Sequence, residues 1–406
     1  MSTDPPSKET LDLLDSVTSL SDALKSGQQG AREGLLDVCT KLVSHLSHPS
    51  EQLLRLYWAQ PTHLAVIRLG IDFKLFHALK HVSGQGEGAT TADIASHCSG
   101  NPDPELVARM LRHLAAMGTV RETGPNTFAS TAMTNAYTET AYEDSILFLV
   151  DFFQNVHQST PAYFRENGFQ PPKSGVDGLY QYTFNCKGSH LFEHFEKSVP
   201  EQGKRFASMM DLWSQGRPRW FDPEFYPVQE RLIAGVTQDS EFFLVDVGGG
   251  TGHDIEGLKQ AFPSDISGKL VLQDRPEIVE LAQVDSSIVK QPHDFLTEQP
   301  VKGARAYFLH SIIQDWSDEV NTQILKSIVP AMKKGYSKVL INDYVVPDQG
   351  AKWPQTALDW ELMASLGSRH RTQADHEKLY KGAGLKINGI WRHPHSLDSV
   401  IELELA

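Results

Sequence analysis

The fold is decided by the stretch Leu244-Val-Asp-Val-Gly-Gly-Gly-Thr-Gly-His253, in which an apolar run leads into four glycines. The run Phe242–Val247 is long enough and apolar enough to form a buried strand. Glycines allow a tight turn and let a ligand approach the backbone, because no side chain stands in the way. The stretch therefore predicts a strand, a nucleotide-binding loop and a helix, in that order.

Strands and helices alternate along the chain that follows this loop. Strands are predicted at Lys269–Gln273, Ala306–Leu309, Lys338–Asn342, Leu385–Ile387 and Val400–Leu405, and helices at Gly257–Phe262, Pro276–Ala282 and Thr322–Met332. Such alternation is typical of a mainly parallel, doubly wound sheet. We therefore expect residues 236–406 to form an α/β domain of the Rossmann-like class.

Three further segments precede this domain. Residues 1–50 carry apolar side chains at helical spacing, which predicts peripheral helices. Residues 51–140 predict a winged helix, in which helices precede a short hairpin near residues 119–130. Residues 141–235 are rich in aromatic side chains and predict a helical region beside an apolar pocket for a flat organic substrate, although most members of such a stripe belong to an ordinary core.

Charge argues against nucleic acid as a partner of the predicted winged helix. Its candidate recognition helix offers only Arg109 and Arg112 amid apolar residues. The whole chain has 37 Lys and Arg against 51 Asp and Glu, a net charge of −14. A phosphate backbone or an anionic membrane would be repelled, so neither is an expected partner.

The cysteines and the N-terminus indicate a protein of the reducing cytoplasm. Cys39, Cys98 and Cys186 lie far apart and form no CxxC motif, so buried thiols are expected rather than disulfides or a metal site. His393 and His395 flank a proline and predict a loop rather than a metal site. Residues 1–8 lack the apolar core of a signal peptide, and no apolar run approaches the ~18 residues that span a bilayer.

Two common nucleotide loops do not fit the glycine tract. A dinucleotide loop requires GxGxxG, and counting from Gly248 places His253 at the third glycine. A phosphate-binding P-loop requires a Lys-Ser/Thr pair, which this stretch does not contain. The pattern Asp-x-Gly-x-Gly-x-Gly, which begins at Asp246, resembles instead the loop that binds S-adenosylmethionine.

A second stretch, Phe308-Leu-His-Ser-Ile-Ile-Gln-Asp-Trp-Ser-Asp318, extends this resemblance. Over about residues 50–406 the chain resembles the S-adenosylmethionine-dependent O-methyltransferases of plant and fungal small-molecule metabolism. In that family the winged helix builds a homodimer, which the resemblance implies here too. The positions that the resemblance assigns to the cofactor are Asp246, Gly248, Gly249, Gly250 and Gly252 in the loop, Asp274 at the ribose with Arg275 next to it, Asp294, Phe295 and Trp316 at the adenine, and His310 near the carboxylate.

The catalytic positions depart from the family pattern. In the family a His deprotonates the substrate hydroxyl, and two acidic residues orient that His. Gln314 stands at the position of the base, Asp343 at the first acid and His370 at the second. A carboxamide accepts no proton near neutral pH. Two of the three positions have thus changed chemical type, which predicts a changed task for the pocket.

Three functions remain open from the sequence. The first is that of the fungal O-methyltransferase-like pericyclases of 2-pyridone alkaloid pathways, which hold and polarise a reactive quinone methide. The second is methyl transfer to a hydroxyl already ionised near neutral pH, which requires positioning and no base; His370 could also act as a relocated base. The third is a non-catalytic S-adenosylmethionine-binding protein. Both catalytic hypotheses predict a small aromatic or polyketide-derived substrate.

Overall fold

The computed structural model describes residues 5–84, 87–213, 216–237 and 240–406. The chain divides into two compact units, Met1–Asn155 with Val199–Gln215 and Val156–Ser198 with Gly216–Ala406. Residues 1–4, on which the signal-peptide argument partly rested, lie outside the described residues. The segment predicted at 141–235 is divided between the units, because helix Pro200–Trp213 packs against helix Thr140–Phe148 of the first unit.

Helices are numbered here in chain order. They are α1 (Lys8–Lys25), α2 (Ala31–Leu46), α3 (Pro49–Leu54), α4 (Gln60–Asp72), α5 (Leu75–Val82), α6 (Thr91–His97), α7 (Pro104–Ala116), α8 (Ala132–Ala136), α9 (Thr140–Phe148), α10 (Gln154–Glu166), α11 (Leu179–Phe184), α12 (Leu191–Lys197), α13 (Pro200–Trp213), α14 (Val228–Arg231), α15 (His253–Ala261), α16 (Pro276–Leu281), α17 (Asp318–Ile328), α18 (Trp353–Leu366) and α19 (Gln373–Gly382). Short π-helical turns are Arg55–Ala59 and Leu149–Phe153, and 3₁₀ turns are Ile233–Gly235, Ile313–Asp315 and Val329–Ala331.

Strands form one small and one large sheet. They are β1 (Ala89–Thr90), β2 (Arg121–Gly124), β3 (Thr127–Ala129), β4 (Phe242–Val247), β5 (Lys269–Asp274), β6 (Val289–Pro292), β7 (Ala306–His310), β8 (Lys338–Val346), β9 (Arg371–Thr372), β10 (Leu385–Arg392) and β11 (Asp398–Leu405).

The first unit packs its helices around a small antiparallel sheet of order β1-β3-β2. Apolar residues of α4, α5, α6 and α7 form its core, including Phe76, Leu79, Leu111 and Leu114. Asp103 begins α7 by accepting a hydrogen bond from the amide of Glu105, and Pro104 occupies the first helical turn, where its missing N–H is not needed. The three helices α5–α7 and the hairpin β2–β3 lie where the sequence predicted them.

The second unit is built on the large sheet, of order β10-β11-β8-β7-β4-β5-β6, with β9 paired to β8. Strands β4 to β8 run parallel, and β10 and β11 add an antiparallel edge. Both faces of the sheet are buried, which explains why its strands are continuous apolar runs. The α/β class and the doubly wound, mainly parallel sheet are confirmed.

Strand β6 and helix α18 were not predicted from the sequence. β6 has the sequence Val-Lys-Gln-Pro and lies at the edge of the sheet, where one polar strand with a terminal proline is tolerated. Helix α17 begins at Asp318, four residues before the predicted start, because Ser317 caps it by accepting from the amide of Val320.

Topology determines where ligands bind on this sheet. The carboxyl ends of β4, β5, β7 and β8 meet at one edge, and in doubly wound sheets ligands bind outside that edge. The predicted cofactor loop, Asp274 and His310 lie at or directly after these strand ends, whereas Asp294 and Phe295 follow β6 and His370 precedes β9.

Two features are absent from the residues that the structure describes. In those ranges no helix combines the length and the apolar character needed to cross a membrane. Nor does any group of three His, Cys, Asp or Glu in the residues described come together in a way that could hold a metal ion.

Candidate functional site

The glycine loop is tied to the neighbouring strand by its backbone. The amides of Gly248 and Gly249 both donate to the carbonyl oxygen of Gln273, at 2.8 and 3.0 Å. The Gly250 amide donates to Oδ2 of Asp274 at 2.8 Å. Gly248 and Gly250 have φ angles of 73° and 59°, a left-handed conformation that disfavours any side chain. A Cβ on Gly248 would lie 2.7 Å from Ile312, whereas one on Gly250 would meet no protein atom within 4 Å. The loop is therefore closed on its inner side and open for a ligand at Gly250.

Three carboxyl groups surround this loop. Asp246 lies beneath it, so close that a Cβ on Gly249 would lie 2.5 Å from its carboxyl carbon. Both Asp246 oxygens are buried without a hydrogen-bond partner, and burial, together with the charge of Asp254, raises the pKa of Asp246 well above its usual range. Asp274 contributes further negative charge. Because Asp246 is held towards its neutral form, the negative charge at the loop comes from Asp254 and Asp274, which disfavours phosphate and fits a cationic ligand such as a sulfonium amino acid.

His310 supplies the positive charge of the loop region. Its Nδ1 lies 2.7 Å from Oδ2 of Asp254, the second residue of α15. Burial alone would lower the pKa of His310, but the Asp254 carboxylate raises it on balance to about 9. Burial would likewise raise the pKa of Asp254, and the His310 imidazolium lowers it. At neutral pH the pair is ionic, and the imidazolium suits the carboxylate of an amino-acid ligand.

Asp274 and Arg275 use their backbone and side chains differently. Oδ1 of Asp274 accepts from the Arg275 amide at 2.7 Å, and burial raises the pKa of the Asp274 carboxyl. The Arg275 guanidinium instead pairs with Glu196 at 3.2 Å and with Glu277 at 3.0 Å. Asp274 is thus in position to accept from ribose hydroxyls, whereas the geometry supports only a backbone contribution from Arg275.

The predicted adenine residues lie together beside the loop. The Phe295 ring lies edge-on to Trp316, with centroids 5.9 Å apart, and a Cβ on Gly248 would approach Phe295 at 3.6 Å. Asp294 is exposed and accepts from the Leu296 amide at 2.9 Å, which fixes the turn before Phe295. These contacts bring the predicted ring partners to the mouth of the loop.

His190 is a neighbour of this group that the sequence did not reveal. Its ring stacks on Trp316 at 4.6 Å and an interplanar angle of 9°. Burial lowers the pKa of His190 to about 4, so the ring is neutral. Its Nε2 is buried without a hydrogen-bond partner. One face of Trp316 is therefore already covered, and an adenine would use the other face or displace His190.

The catalytic positions come together as Gln314 and His370. Gln314 lies in the 3₁₀ turn after β7, and its Oε1 is 3.3 Å from Nε2 of His370. Nδ1 of His370 lies 3.1 Å from the carbonyl oxygen of Gln355. Burial lowers the pKa of His370, so the ring carries one proton at neutral pH. Both side chains are buried.

Hydrogen-bond chemistry decides the orientation of this pair. A carbonyl oxygen can only accept, so the single proton of His370 lies on Nδ1 and donates to Gln355. Nε2 then carries a lone pair, which must face the amide N–H₂ of Gln314 rather than its oxygen. The two ends of a carboxamide are interchangeable in position, and the exchanged orientation satisfies both groups. His370 thus orients Gln314 and retains no free proton or lone pair for a substrate.

Asp343, the third predicted catalytic residue, lies in β8, three residues before the end of the strand. Its side chain is buried, and neither oxygen makes a hydrogen bond of ordinary geometry, although the backbone N–H of Gln314 lies toward it. Burial raises the pKa of Asp343 to about 7. Burial and the charge of Asp343 also raise the pKa of Asp315 well above its usual range. Two carboxyl groups therefore flank Gln314, at least one of them protonated at neutral pH.

Arg371 holds the turn that carries Gln314. Its guanidinium donates to the carbonyl oxygens of Ile313 at 2.7 Å and Trp316 at 2.9 Å, and to Oδ1 of Asp318 at 2.9 Å. The side chain is almost completely buried. A planar fork with several donors can satisfy separate acceptors at once, and Arg371 thereby fixes both sides of the Gln314 turn.

Further groups at this edge were missed by sequence reasoning. Tyr344 lies next to Asp343 in β8, its ring 4.8 Å from that of His370, and its hydroxyl accepts from Arg217 at 2.9 Å. Burial raises the pKa of Tyr344 to about 12. Asp398 begins β11 opposite Tyr344. The sequence signal that could have revealed these groups is the polar run Asn342-Asp-Tyr344 in an otherwise apolar strand. A strand that only fills a core does not need such polar residues.

The aromatic stripe of residues 156–198 is core in part: Tyr163, Tyr180 and Phe195 are buried, whereas Phe169 and Tyr182 are exposed. Tyr180 is fully buried, its hydroxyl lies 2.8 Å from Nδ1 of His194, and its ring contacts Phe184 at 4.8 Å. The ordinary packing explanation therefore holds for this cluster.

Comparison with known proteins gives this fold and site a family. A sequence model of the O-methyltransferase domain matches residues 229–386. The O-methyltransferase mpaG of Penicillium brevicompactum is 36% identical over 398 residues, which cover 97% of this chain and 98% of that protein. The chain therefore belongs to the O-methyltransferase family.

Solved structures extend the likeness along the chain. A pericyclic reaction enzyme superposes with a TM-score of 0.85 at 27% identity, covering 98% of this chain and 100% of that one. LepI in complex with SAM superposes with a TM-score of 0.85 at 27% identity, covering 98% and 99%. S-adenosylmethionine is the cofactor of this fold, and the acid-lined loop with the Asp254–His310 pair fits it.

Proposed function

We propose that the protein binds S-adenosylmethionine and catalyses a pericyclic cyclisation of a quinone methide derived from a pyridone alkaloid, of hetero-Diels–Alder, Alder-ene or related type. The single observation that carries this proposal is the pair Gln314 and His370, in which an amide replaces a proton acceptor. The likeness to a pericyclic reaction enzyme at 27% identity supports it.

The pair suits a reaction that needs polarisation without proton abstraction. His370 is neutral and uses Nδ1–H on Gln355 and its Nε2 lone pair on Gln314. Gln314 keeps one N–H and its carbonyl oxygen for a guest, and both are held in a fixed direction. Pre-organised dipoles of this kind stabilise a polarised transition state without reorganising at the moment of reaction.

The carboxyl groups around Gln314 disfavour an anionic substrate. Asp315 and Asp343 lie in a buried environment that already favours their protonated forms. An oxyanion beside either carboxyl in its ionised form would be repelled, which raises the pKa of a substrate hydroxyl. In its protonated form, neither carboxyl can take up the proton of that hydroxyl. Since general-base catalysis contributes about 10²–10⁴-fold, an unactivated phenol would be a poor substrate.

We propose the cofactor contacts on the same grounds. The backbone at Gly250 and the acids Asp246 and Asp274 would hold the cationic nucleoside, and His310 its carboxylate. In a pericyclic reaction the bound sulfonium supplies a fixed positive charge and remains unchanged. The residues of the chain orient the guest against that charge and exclude water.

Methyl transfer is the second candidate, favoured by the 36% identity to the O-methyltransferase mpaG. The Gln314 site would then require a hydroxyl that is ionised before it binds, such as an acidic enol. Asp343, with a pKa raised to about 7, is the group near Gln314 that could take up a proton.

We also propose that the first unit is a winged-helix module that forms a homodimer. Leu46, Leu56 and Trp58 are more than 60% exposed and lie close together in sequence. Exposed large apolar side chains in one segment are typical of an interface. Light scattering should give about twice the chain mass of 45.2 kDa, and Trp58→Glu should reduce it; a monomeric wild-type protein would contradict the dimer.

One incubation tests the main proposal. The purified protein, loaded with S-adenosylmethionine, receives a pyridone alcohol that dehydrates to a quinone methide. We expect a cyclic product that is an isomer of the quinone methide, with the cofactor recovered intact. Formation of S-adenosylhomocysteine in step with product would support the second candidate instead. Gln314→Glu keeps the shape of the side chain but replaces its N–H₂ donor with a carboxyl oxygen. This variant should slow the cyclisation at least tenfold.

A further inference from the structure

Asp398 is a buried acid at the same sheet edge that neither the sequence argument nor the proposed function uses. It is the first residue of β11 and lies directly opposite Tyr344 of β8 in antiparallel register. Directly opposite residues project from the same face of a sheet. In the parallel register of β7 with β8, His310 lies opposite Asn342, which is on the Tyr344 face as well. Asp398, Tyr344 and His310 therefore share one face at the edge where ligands bind.

The charge of Asp398 acts on both halves of the site. It contributes to raising the pKa of His310 on the cofactor side and of Tyr344 and Asp343 on the other. It also opposes the lowering of the His370 pKa by burial. Asp398 thus lies within electrostatic reach of the proposed cofactor carboxylate site and of the Gln314–His370 pair.

The Asp398 carboxyl has acceptor capacity to spare. Its Oδ2 accepts from the Ser396 hydroxyl at 3.2 Å, whereas Oδ1 accepts from no group that the structure describes, and no ion pair reaches it within the described ranges. The side chain is only 9% exposed. A carboxylate in such a place requires a donor to offset its desolvation. The facing groups are Tyr344, whose hydroxyl accepts from Arg217 and makes no hydrogen bond to Asp398 among the described residues, and the neutral His370, while the charge of His310 is paired with Asp254.

We propose that Asp398 is a specificity-determining residue that binds an N–H, O–H or cationic group of the substrate and excludes substrates with negative charge at that point. The proposal rests on the proposed function only in taking the space beside Gln314 and His370 as the substrate site. A hydrogen bond to a charged group contributes more than one between neutral groups, and a carboxylate facing Asp398 would be repelled. The substrate class is therefore neutral or cationic and carries a donor.

Asp398 also stabilises the turn at residues 396–398, and this structural role can be tested separately from its proposed role in substrate binding. The Asp398 amide donates to the Ser396 hydroxyl, and Oδ2 accepts from that hydroxyl. Asp398→Asn keeps the shape and an acceptor for Ser396, and removes only the charge. Glu404→Gln is the matched control, because Glu404 lies on the same strand and pairs with Lys386 at 3.1 Å, away from the site.

The test compares two probes that differ in charge at one position, 4-hydroxybenzamide and 4-hydroxybenzoate. Their affinities for the full-length protein, saturated with S-adenosylmethionine, are measured by calorimetry. We expect the wild type and Glu404→Gln to prefer the benzamide by at least about tenfold, as a charge-assisted hydrogen bond implies, and Asp398→Asn to bring the two affinities near parity. The proposal would be overturned if Asp398→Asn kept the preference for the benzamide or if the wild type bound the two probes equally. It would also be overturned if neither probe bound.

A second readout is independent of any substrate. The Asp398 charge contributes to raising the pKa of His310, so Asp398→Asn should let His310 lose its proton at a lower pH. As the pH is raised, the affinity for S-adenosylmethionine should therefore fall earlier in Asp398→Asn than in the wild type. The acidic groups that act on His310 are Asp254, Asp398, Asp343 and Asp246, and only Asp398 is changed. Coinciding pH profiles would contradict the shared face. Probe selectivity that depends on Asp398 would stand even if S-adenosylhomocysteine formed, so failure of the pericyclic proposal is distinguishable from failure of this one.

Discussion

The ligand-binding edge of the large sheet has two halves: a cofactor half, around the glycine loop and His310, and a substrate half, around Gln314 and His370. The two halves differ in charge. In the proposed cofactor half, Asp246, Asp274 and His310 keep the residue types of the family pattern; burial favours the neutral form of Asp246, and His310 forms an ionic pair with Asp254. In the substrate half, Gln314 and His370 depart from the pattern and form a neutral hydrogen-bonded pair. The comparison indicates that a binding site can be kept while the proton chemistry beside it is exchanged, because the two halves use separate strand ends.

The largest expected effect restores the family pattern in the substrate half. Gln314→His alone would place an imidazole against neutral His370, 3.3 Å away, with no acid to orient it. Combining it with His370→Glu supplies that acid. We expect methyl transfer to a phenol to rise by about 10²–10⁴-fold in the double variant, and much less in either single variant. Formation of S-adenosylhomocysteine measures it, and equal rates for the single and double variants would contradict the orienting role of position 370.

Removing the support of the Gln314 turn should have the next largest effect. Arg371→Lys loses the fork that donates to Ile313, Trp316 and Asp318. The two carbonyl oxygens keep their bonds from Asn321, but each lost hydrogen bond from a charged donor costs about 1.5–3 kcal/mol. We expect the free energy of unfolding in urea to fall by about 3 kcal/mol. Arg369→Lys is the matched control, since its side chain is about half exposed; a comparable loss there would remove the special role of Arg371.

Two substitutions in the glycine loop separate an effect on stability from an effect on cofactor binding. Gly248→Ala and Gly250→Ala both place an alanine at positive φ, at a cost of about 1–2 kcal/mol each. Only the first collides with Ile312, whereas the second projects into open space. Gly248→Ala should lower the melting temperature more, and Gly250→Ala should lower the affinity for S-adenosylmethionine more. Calorimetry and thermal unfolding together separate them, and the reverse ranking would contradict the proposed ligand position.

The smallest expected effect is a pH dependence of stability. The pKa of His310 is raised to about 9 in the fold, from an ordinary value of about 6.5. The stabilisation from its pairing with Asp254 is therefore complete below about pH 6.5 and is lost as the pH rises through about 9. We expect the melting temperature of the wild type to fall between pH 7 and 10 by a few degrees more than that of Asp254→Asn. Parallel curves would contradict the charged pair.

The sequence predicted the large sheet well because its strands are continuous apolar runs separated by helices. It placed the glycine loop and Gln314 correctly relative to the strands, since loop positions at strand ends follow from topology. It did not predict β6, whose polar sequence is tolerated only at an edge, nor the division of residues 141–235 between two units. Asp254, His190 and Asp398 were missed because their partners are distant in sequence: His310, Trp316 and Tyr344 come from other strands or loops.

The central claim is that the substrate half holds and polarises its guest without removing a proton from it. The most direct measurement is the rate of S-adenosylhomocysteine formation across a series of phenols whose pKa values run from about 5 to about 10, the latter the value of an ordinary tyrosine. We predict no detectable methyl transfer to the weakly acidic members, whatever happens at the acidic end. Efficient methylation of a phenol with a pKa near 10 would contradict the account.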